Sequence, residues 1–138
     1  MMLAVAVARR DFLNVFDVGA PDGVLRQELG EVPQAIGHRL PASFDHLAGG
    51  RKVEDFALWA VHPGGRSVLD AVERGLELPP TALDASRSVL RRFGNMSSPT
   101  IVFVLKDILA SGAAGAPGCA LAFGPGLTAE SLVFRVAR

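Results

Sequence analysis

Three short stretches of this chain gather residue types that could do chemistry. His62-Pro63-Gly64-Gly65 follows an apolar run over residues 56–61. An imidazole placed where a buried strand ends can donate a hydrogen bond into a cleft, because sites in open α/β sheets collect beyond the carboxyl ends of strands. The two glycines let a ligand or another backbone approach closely. Gly94-Asn95-Met96-Ser97-Ser98 concentrates polar groups within an otherwise apolar region. The carboxamide of Asn95 offers an uncharged N–H donor, suited to stabilising an oxyanion without depending on pH. Phe123-Gly124-Pro125-Gly126-Leu127-Thr128 is a turn that can wall a pocket without side chains. Each stretch also has a plainer reading. The first is a tight turn with a solvated histidine. The second is helix punctuation, with Gly94 as C-cap, Asn95 left-handed and a serine as N-cap. The third is an ordinary hairpin.

Cys119 is the chain's single cysteine and a nominal nucleophile. Its neighbours Gly118, Ala120 and Leu121 supply no base, and no helix N-terminus follows to lower its pKa. Its type and setting predict a small core residue.

The elements that must position these groups follow from pattern. Asp17-Val18-Gly19-Ala20-Pro21-Asp22-Gly23 is turn chemistry, and a short strand is expected over 24–29. Glu31-Val32-Pro33 opens a helix, since proline is tolerated in a first turn. Val32, Ile36, Leu40, Phe44 and Leu47 give that helix one apolar face, Pro41 should kink or break it, and Gly49-Gly50 ends it. Residues 56–61 read as a buried central strand. A helix then carries Leu69, Val72 and Leu76 on one face, with Gly75 placed for a left-handed cap. Thr81 and Asp84 resemble a capping box before a helix expected to bury Ala82, Ala85, Val89 and Phe93 and to stop at Gly94. Ser98-Pro99 looks like the cap and first position of a further helix. Its segment Thr100-Ile101-Val102-Phe103-Val104 would alone suggest a strand, while Ile101, Leu105, Ile108 and Leu109 fit a helical stripe buried on most sides. A small-residue loop over 111–118 leads to strands at 119–123 and 132–136. Strands alternating with helices define an α/β layered domain.

Composition narrows the function classes. The 14 basic and 14 acidic residues cancel, which argues against a nucleic-acid surface and against an acidic disordered tail. A chain that is 49% hydrophobic can bury a substantial core. One cysteine allows no internal disulfide and suits a reducing, cytoplasmic setting. His38, His46 and His62 show no metal-ligand spacing. The start, Met1-Met2-Leu3-Ala4-Val5-Ala6-Val7-Ala8-Arg9-Arg10, has its charges after the apolar run, the wrong order for a secretory signal. No apolar stretch approaches the roughly 20 residues needed to span a bilayer, so no membrane partner is expected.

Taken in order, Trp59-Ala60-Val61-His62-Pro63-Gly64-Gly65, Leu69-Asp70-Ala71-Val72-Glu73, Gly94-Asn95-Met96-Ser97-Ser98 and Phe123-Gly124-Pro125-Gly126-Leu127-Thr128-Ala129-Glu130 resemble the chalcone/stilbene synthase family of type III polyketide synthases, with Glu31-Val32-Pro33 matching upstream. The likeness covers residues 16–138 and leaves 1–15 unassigned; Phe16-Asp17-Val18-Gly19 looks more like bacterial members than plant ones. It implies the C-terminal half of a thiolase-like αβαβα sandwich, a mixed sheet flanked by helices. It implies a cytosolic homodimer that takes acyl-CoA and malonyl-CoA and needs no metal or organic cofactor. His62 and Asn95 become the catalytic pair that holds the malonyl thioester oxygen during decarboxylative condensation. Ser97, Gly124, Pro125 and Gly126 become the lining of the cavity that shapes the growing chain. The family's nucleophilic cysteine belongs to an N-terminal half that these residues do not match, so this chain alone is expected to be inactive and to expose an apolar face where that half would pack. A gatekeeper phenylalanine often kept before the Val-Pro helix is not evident; Leu25 or Arg26 falls near that place. Two alternatives stand beside this reading. One is a non-catalytic product or half-subunit. The other is a fatty-acid ketoacyl synthase of the same fold, a group that typically carries His-Gln-Ala-Asn and Gly-Asn-Thr-Ser where this chain has His-Pro-Gly-Gly and Gly-Asn-Met-Ser.

Overall fold

The computed structural model describes residues 25–124 and 128–137, with side chains from residue 32 onward. Segment 1–15, the turn at 17–23, and Pro125 and Gly126 lie outside the described residues. The elements run α1 (Leu25–Leu47), a 3-10 turn (Val53–Asp55), β1 (Leu58–Val61), α2 (Arg66–Gly75), α3 (Asp84–Phe93), α4 (Pro99–Ser111), β2 (Pro117–Gly124) and β3 (Thr128–Arg135). The sheet order is β1-β2-β3. β1 and β2 are parallel, with Trp59 beside Cys119 and Val61 beside Leu121. β2 and β3 are antiparallel, from Pro117 opposite Arg135 to Gly124 opposite Thr128. The carboxyl ends of β1 and β2 therefore share one edge of the sheet.

The two-residue period of a strand sorts the core into two layers. Trp59, Val61, Cys119 and Leu121 face α1 and α2, where they join Ile36, Leu40, Phe44, Leu69 and Val72. Phe44, Phe56 and Trp59 form an aromatic cluster there, with ring centroids 5.6 to 6.1 Å apart. Ala60, Ala120 and Phe134 face the other way, toward Val89 of α3 and Val104 and Ile108 of α4. Small residues on that second face let the helices come close. The mixed sheet is thus flanked by helices on both sides, the α/β architecture that the pattern of elements implied.

Several local expectations are corrected. The strand expected over 24–29 is helical from Leu25 onward, and the helix does not open at Pro33: both Pro33 and Pro41 lie inside α1. Each proline removes one backbone bond, but the buried stripe Ile36, Leu40, Phe44 and Leu47 keeps the helix continuous. Pro41 leaves the Gly37 carbonyl without its helical donor. That is where α2 crosses, so closely that a Cβ on Gly75 would lie 3.4 Å from the Gly37 carbonyl oxygen. Gly75 is helical, and the left-handed residue is Glu77, at φ 52°. The capping box is absent: Leu83 holds the N-cap position of α3 without a side-chain cap, and the Asp84 N–H bonds to the Thr81 carbonyl at 3.2 Å. α3 does stop at Gly94.

Phe93, expected inside, is 47% exposed. It comes at the end of α3, where its ring meets Phe103 at 5.3 Å and lies under the Arg92 guanidinium at 4.9 Å. Residues 99–111 form a helix rather than a strand. It is not buried on most sides, because Thr100, Val104 and Ile108 face inward while Val102 and Phe103 are exposed. Phe93, Val102 and Phe103 together make an apolar patch along α3 and α4.

Gly118 sits opposite Phe134 across the hairpin, and a Cβ built on it would collide with the Phe134 ring. The ring covers the glycine face. Gly118→Ala should therefore destabilise the domain by about 1–3 kcal/mol, the usual cost of overpacking, lowering the urea midpoint without changing the m-value. An unchanged midpoint would show that Phe134 is free to move aside.

Candidate active site

His62 follows the last residue of β1, and its N–H bonds to the Leu121 carbonyl at 2.8 Å, continuing the parallel ladder one step past the strand. The strand end is fixed from the other side as well. Ser86 of α3 is fully buried and its Oγ accepts the Val61 N–H at 3.1 Å. A buried N–H on an edge strand needs such a partner. Arg87, next to Ser86, ties α3 to α2 through Asp70 and Glu73, each at 2.8 Å. Beyond His62 the chain turns tightly, with the Gly64 N–H on the His62 carbonyl at 2.9 Å, and then enters α2.

Asn95 reaches this turn from the loop between α3 and α4. Its Nδ2 donates to the Gly64 carbonyl at 3.2 Å, and its Oδ1 accepts the Ser97 N–H at 2.9 Å. A backbone N–H can only donate and a carbonyl can only accept, so the two bonds jointly fix which way the carboxamide points. Nδ2 carries a second hydrogen that has no bond to any described residue. His62 stands two residues before this glycine, and a Cβ added to Gly64 would come 3.9 Å from His62 Cδ2. The Asn95 carboxamide is thus tied to the turn that carries His62. Burial lowers the His62 pKa below 6.5, so the ring is neutral near pH 7 and keeps one N–H to donate.

Ser97 is exposed and left-handed, with φ 65°. It takes the conformation that the pattern had given to Asn95, at a cost of about 1–2 kcal/mol for a residue bearing a Cβ. Ser98 occupies the N-cap position of α4 but makes no side-chain cap. Thr100 instead ties the helix start to the preceding loop: its Oγ1 accepts the Met96 N–H at 2.8 Å and donates to the Ser97 carbonyl at 2.7 Å. Gly124 ends β2 at the same sheet edge as His62; its turn partners Pro125 and Gly126 lie outside the described residues. Cys119 is fully buried in the middle of β2, and burial pushes its pKa up to about 12. It is a core thiol, as expected. The pattern did not single out Ser86 or Thr100. A polar residue four positions after Ala82 on an apolar helix face was the available signal for Ser86. Thr100 was hidden by its place in a β-branched run.

A mixed sheet flanked by helices on both sides, with the Asn95 loop tied to the turn at the carboxyl end of β1, has the layout of half of a thiolase-like fold. The chain belongs to the chalcone and stilbene synthases: the model of that family's C-terminal domain matches residues 21–137. Over 92 residues it is 39% identical to the alpha-pyrone synthesis polyketide synthase-like Pks18 of Mycobacterium tuberculosis, covering 64% of this chain and 23% of that protein. The bacterial type III polyketide synthase 1,3,6,8-tetrahydroxynaphthalene synthase of Streptomyces coelicolor superposes with a TM-score of 0.70 at 32% identity, over 78% of this chain and 32% of that one. CsyB in complex with CoA-SH superposes with a TM-score of 0.65 at 29% identity, over 77% and 32%. The chain therefore spans about a quarter to a third of the length of these relatives.

The lowered pKa has a measurable consequence. Followed by imidazole NMR, His62 should titrate with a midpoint below 6.5. Below 6.5 the unfolded chain takes up this proton more readily than the folded one. Stability from this group is therefore complete above 6.5 and falls as pH drops through the folded midpoint. A midpoint at or above 6.5 would mean that the ring is not desolvated.

Proposed function

We propose that this chain supplies the hydrogen-bond donors for decarboxylative Claisen condensation of malonyl-CoA onto an acyl-CoA starter. The observation that carries the reading is the bond from Asn95 to the Gly64 carbonyl, two residues beyond His62, in a chain of this family. In the reaction the bond between the malonyl carboxylate and its α-carbon breaks. Carbon dioxide leaves, and the electron pair passes into an enolate of the thioester. The neutral imidazole N–H and the free Nδ2 hydrogen donate to the enolate oxygen, where charge develops. The enolate carbon then attacks an acyl thioester, expelling the thiolate and extending the chain by two carbons. Ser97 and Gly124 take the lining role beside the growing product on this reading. CoA thioesters fit as substrates, since a related fold binds CoA-SH.

The acyl-bearing thiol is not Cys119. A thiol pushed up to about 12 carries negligible thiolate at neutral pH, and the residue is sealed in the core. On this reading the nucleophile comes from a further part of the synthase. A non-catalytic half-subunit until that part joins is the second reading, and the state of Cys119 favours it for the isolated 138 residues. We place the assembled enzyme in the cytoplasm as a homodimer; no helix among the described residues is long and apolar enough to cross a membrane.

The test mixes this chain with malonyl-CoA and an acyl-CoA, with and without a separately expressed nucleophile-bearing half. Polyketide should form only when that half is added. In the assembled enzyme, His62→Ala and Asn95→Ala should each lower malonyl decarboxylation roughly a hundredfold or more, as loss of an oxyanion donor does. Product from this chain alone, or undiminished decarboxylation in both variants, would overturn the assignment.

A further inference from the structure

We propose that Thr100 is a positioning residue that sets the orientation of the Asn95 carboxamide through the backbone of Met96 and Ser97. The inference rests on the functional reading above for its catalytic meaning, but its structural content stands apart from it. Thr100 is fully buried at the start of α4, five residues beyond Asn95. Its hydroxyl accepts the Met96 N–H at 2.8 Å and donates to the Ser97 carbonyl at 2.7 Å. The Thr100 N–H bonds to the same carbonyl at 3.0 Å. One side chain and one amide therefore hold the first and third peptide groups after Asn95, on either side of the Met96–Ser97 peptide whose N–H Asn95 Oδ1 accepts.

The consequence is directional. With its carbonyl held by Thr100, Ser97 stays at φ 65°, a conformation that a side-chain-bearing residue does not keep without support. In that conformation its N–H meets Asn95 Oδ1 at 2.9 Å. Oδ1 is thereby turned toward the loop, and Nδ2 is turned toward the Gly64 carbonyl and the His62 turn. Were the Ser97 peptide to relax, the carboxamide could rotate and present its oxygen to the same place. An oxygen facing a developing oxyanion repels it. A hydroxyl that never touches substrate would thus decide whether the donor or the acceptor end of Asn95 faces the site.

The substitutions that isolate the effect are Thr100→Val, which keeps the shape and removes the hydroxyl, and Thr100→Ser, which keeps the hydroxyl. In the 138-residue chain, the Asn95 side-chain amide should give two resolved protons in the unsubstituted and Ser proteins, the one bonded to the Gly64 carbonyl exchanging more slowly. In the Val protein they should collapse toward free-amide shifts. In the synthase assembled with a nucleophile-bearing half, Thr100→Val should lower kcat for malonyl decarboxylation roughly ten- to a hundredfold, the scale of a displaced reacting group, with KM unchanged and with rescue by Ser. Wild-type amide signals together with wild-type kcat in the Val protein would overturn the proposal. Loss of the amide signals in an enzyme whose rate ignores Asn95→Ala would uphold the positioning and sink the catalytic reading instead. If Thr100→Val fails to fold, hydrogen exchange on the unsubstituted chain decides. The Met96 and Ser97 amides should be protected although Ser97 is exposed, and exchange at the rate of an unstructured peptide would refute the bridge.

Discussion

The hydrogen bond from Asn95 Nδ2 to the Gly64 carbonyl is the tie on which the site depends. It links two loops that are 31 residues apart in the chain and that leave different elements, one from β1 and one from α3. It adds a direct bond between the strand-end turn and the interhelical loop to the packing of α3 and α4 on β1. With it, the carboxamide has one hydrogen committed to the backbone of the turn that carries His62, whose pKa burial lowers. Both groups are uncharged, as the proposed donor role asks of a partly desolvated edge.

The rest of the fold makes this tie possible. The parallel pairing of β1 with β2 puts His62 and Gly124 at one sheet edge. The alternation of strand residues gives α1 and α2 one face and α3 and α4 the other. Because α3 and α4 pack on the small-residue face, their connecting loop arrives at the carboxyl end of β1. Ser86 is the hinge between the two levels: its buried hydroxyl satisfies the edge strand one residue before His62. Buried polar groups of this kind cost stability when left unpaired, so Ser86 fixes the strand end as well as satisfying it.

The local setting of the candidate residues was legible in the sequence because each group is written in consecutive residues. His62-Pro63-Gly64-Gly65 must lie where an apolar run ends, and Gly94 must stop a helix, whatever the tertiary context. The burial of Cys119 followed from neighbours that offered it no base. Local propensity failed where tertiary packing overrode it. Leu25 to Leu29 read as a strand but belongs to α1, Pro33 read as its opening, and Pro41 was weighed as a kink or break although the fully buried Ile36 and Leu40 keep the helix continuous. Phe93 read as core because helical spacing cannot tell a stripe that faces the sheet from an end that runs past it. Thr100 stayed unnoticed because its role is a bond to backbone groups of the preceding loop, and a β-branched residue in an apolar helix gives no sign of it.

The central claim is that His62 and Asn95 address one atom. It is tested most directly by a crystal structure of the assembled synthase bound to a malonyl-CoA analogue that cannot lose carbon dioxide. The account predicts the thioester oxygen within about 2.7–3.1 Å of both an imidazole nitrogen of His62 and Nδ2 of Asn95. A thioester oxygen bonded to neither residue, or an Asn95 carboxamide turned with its oxygen toward the ligand, would contradict it.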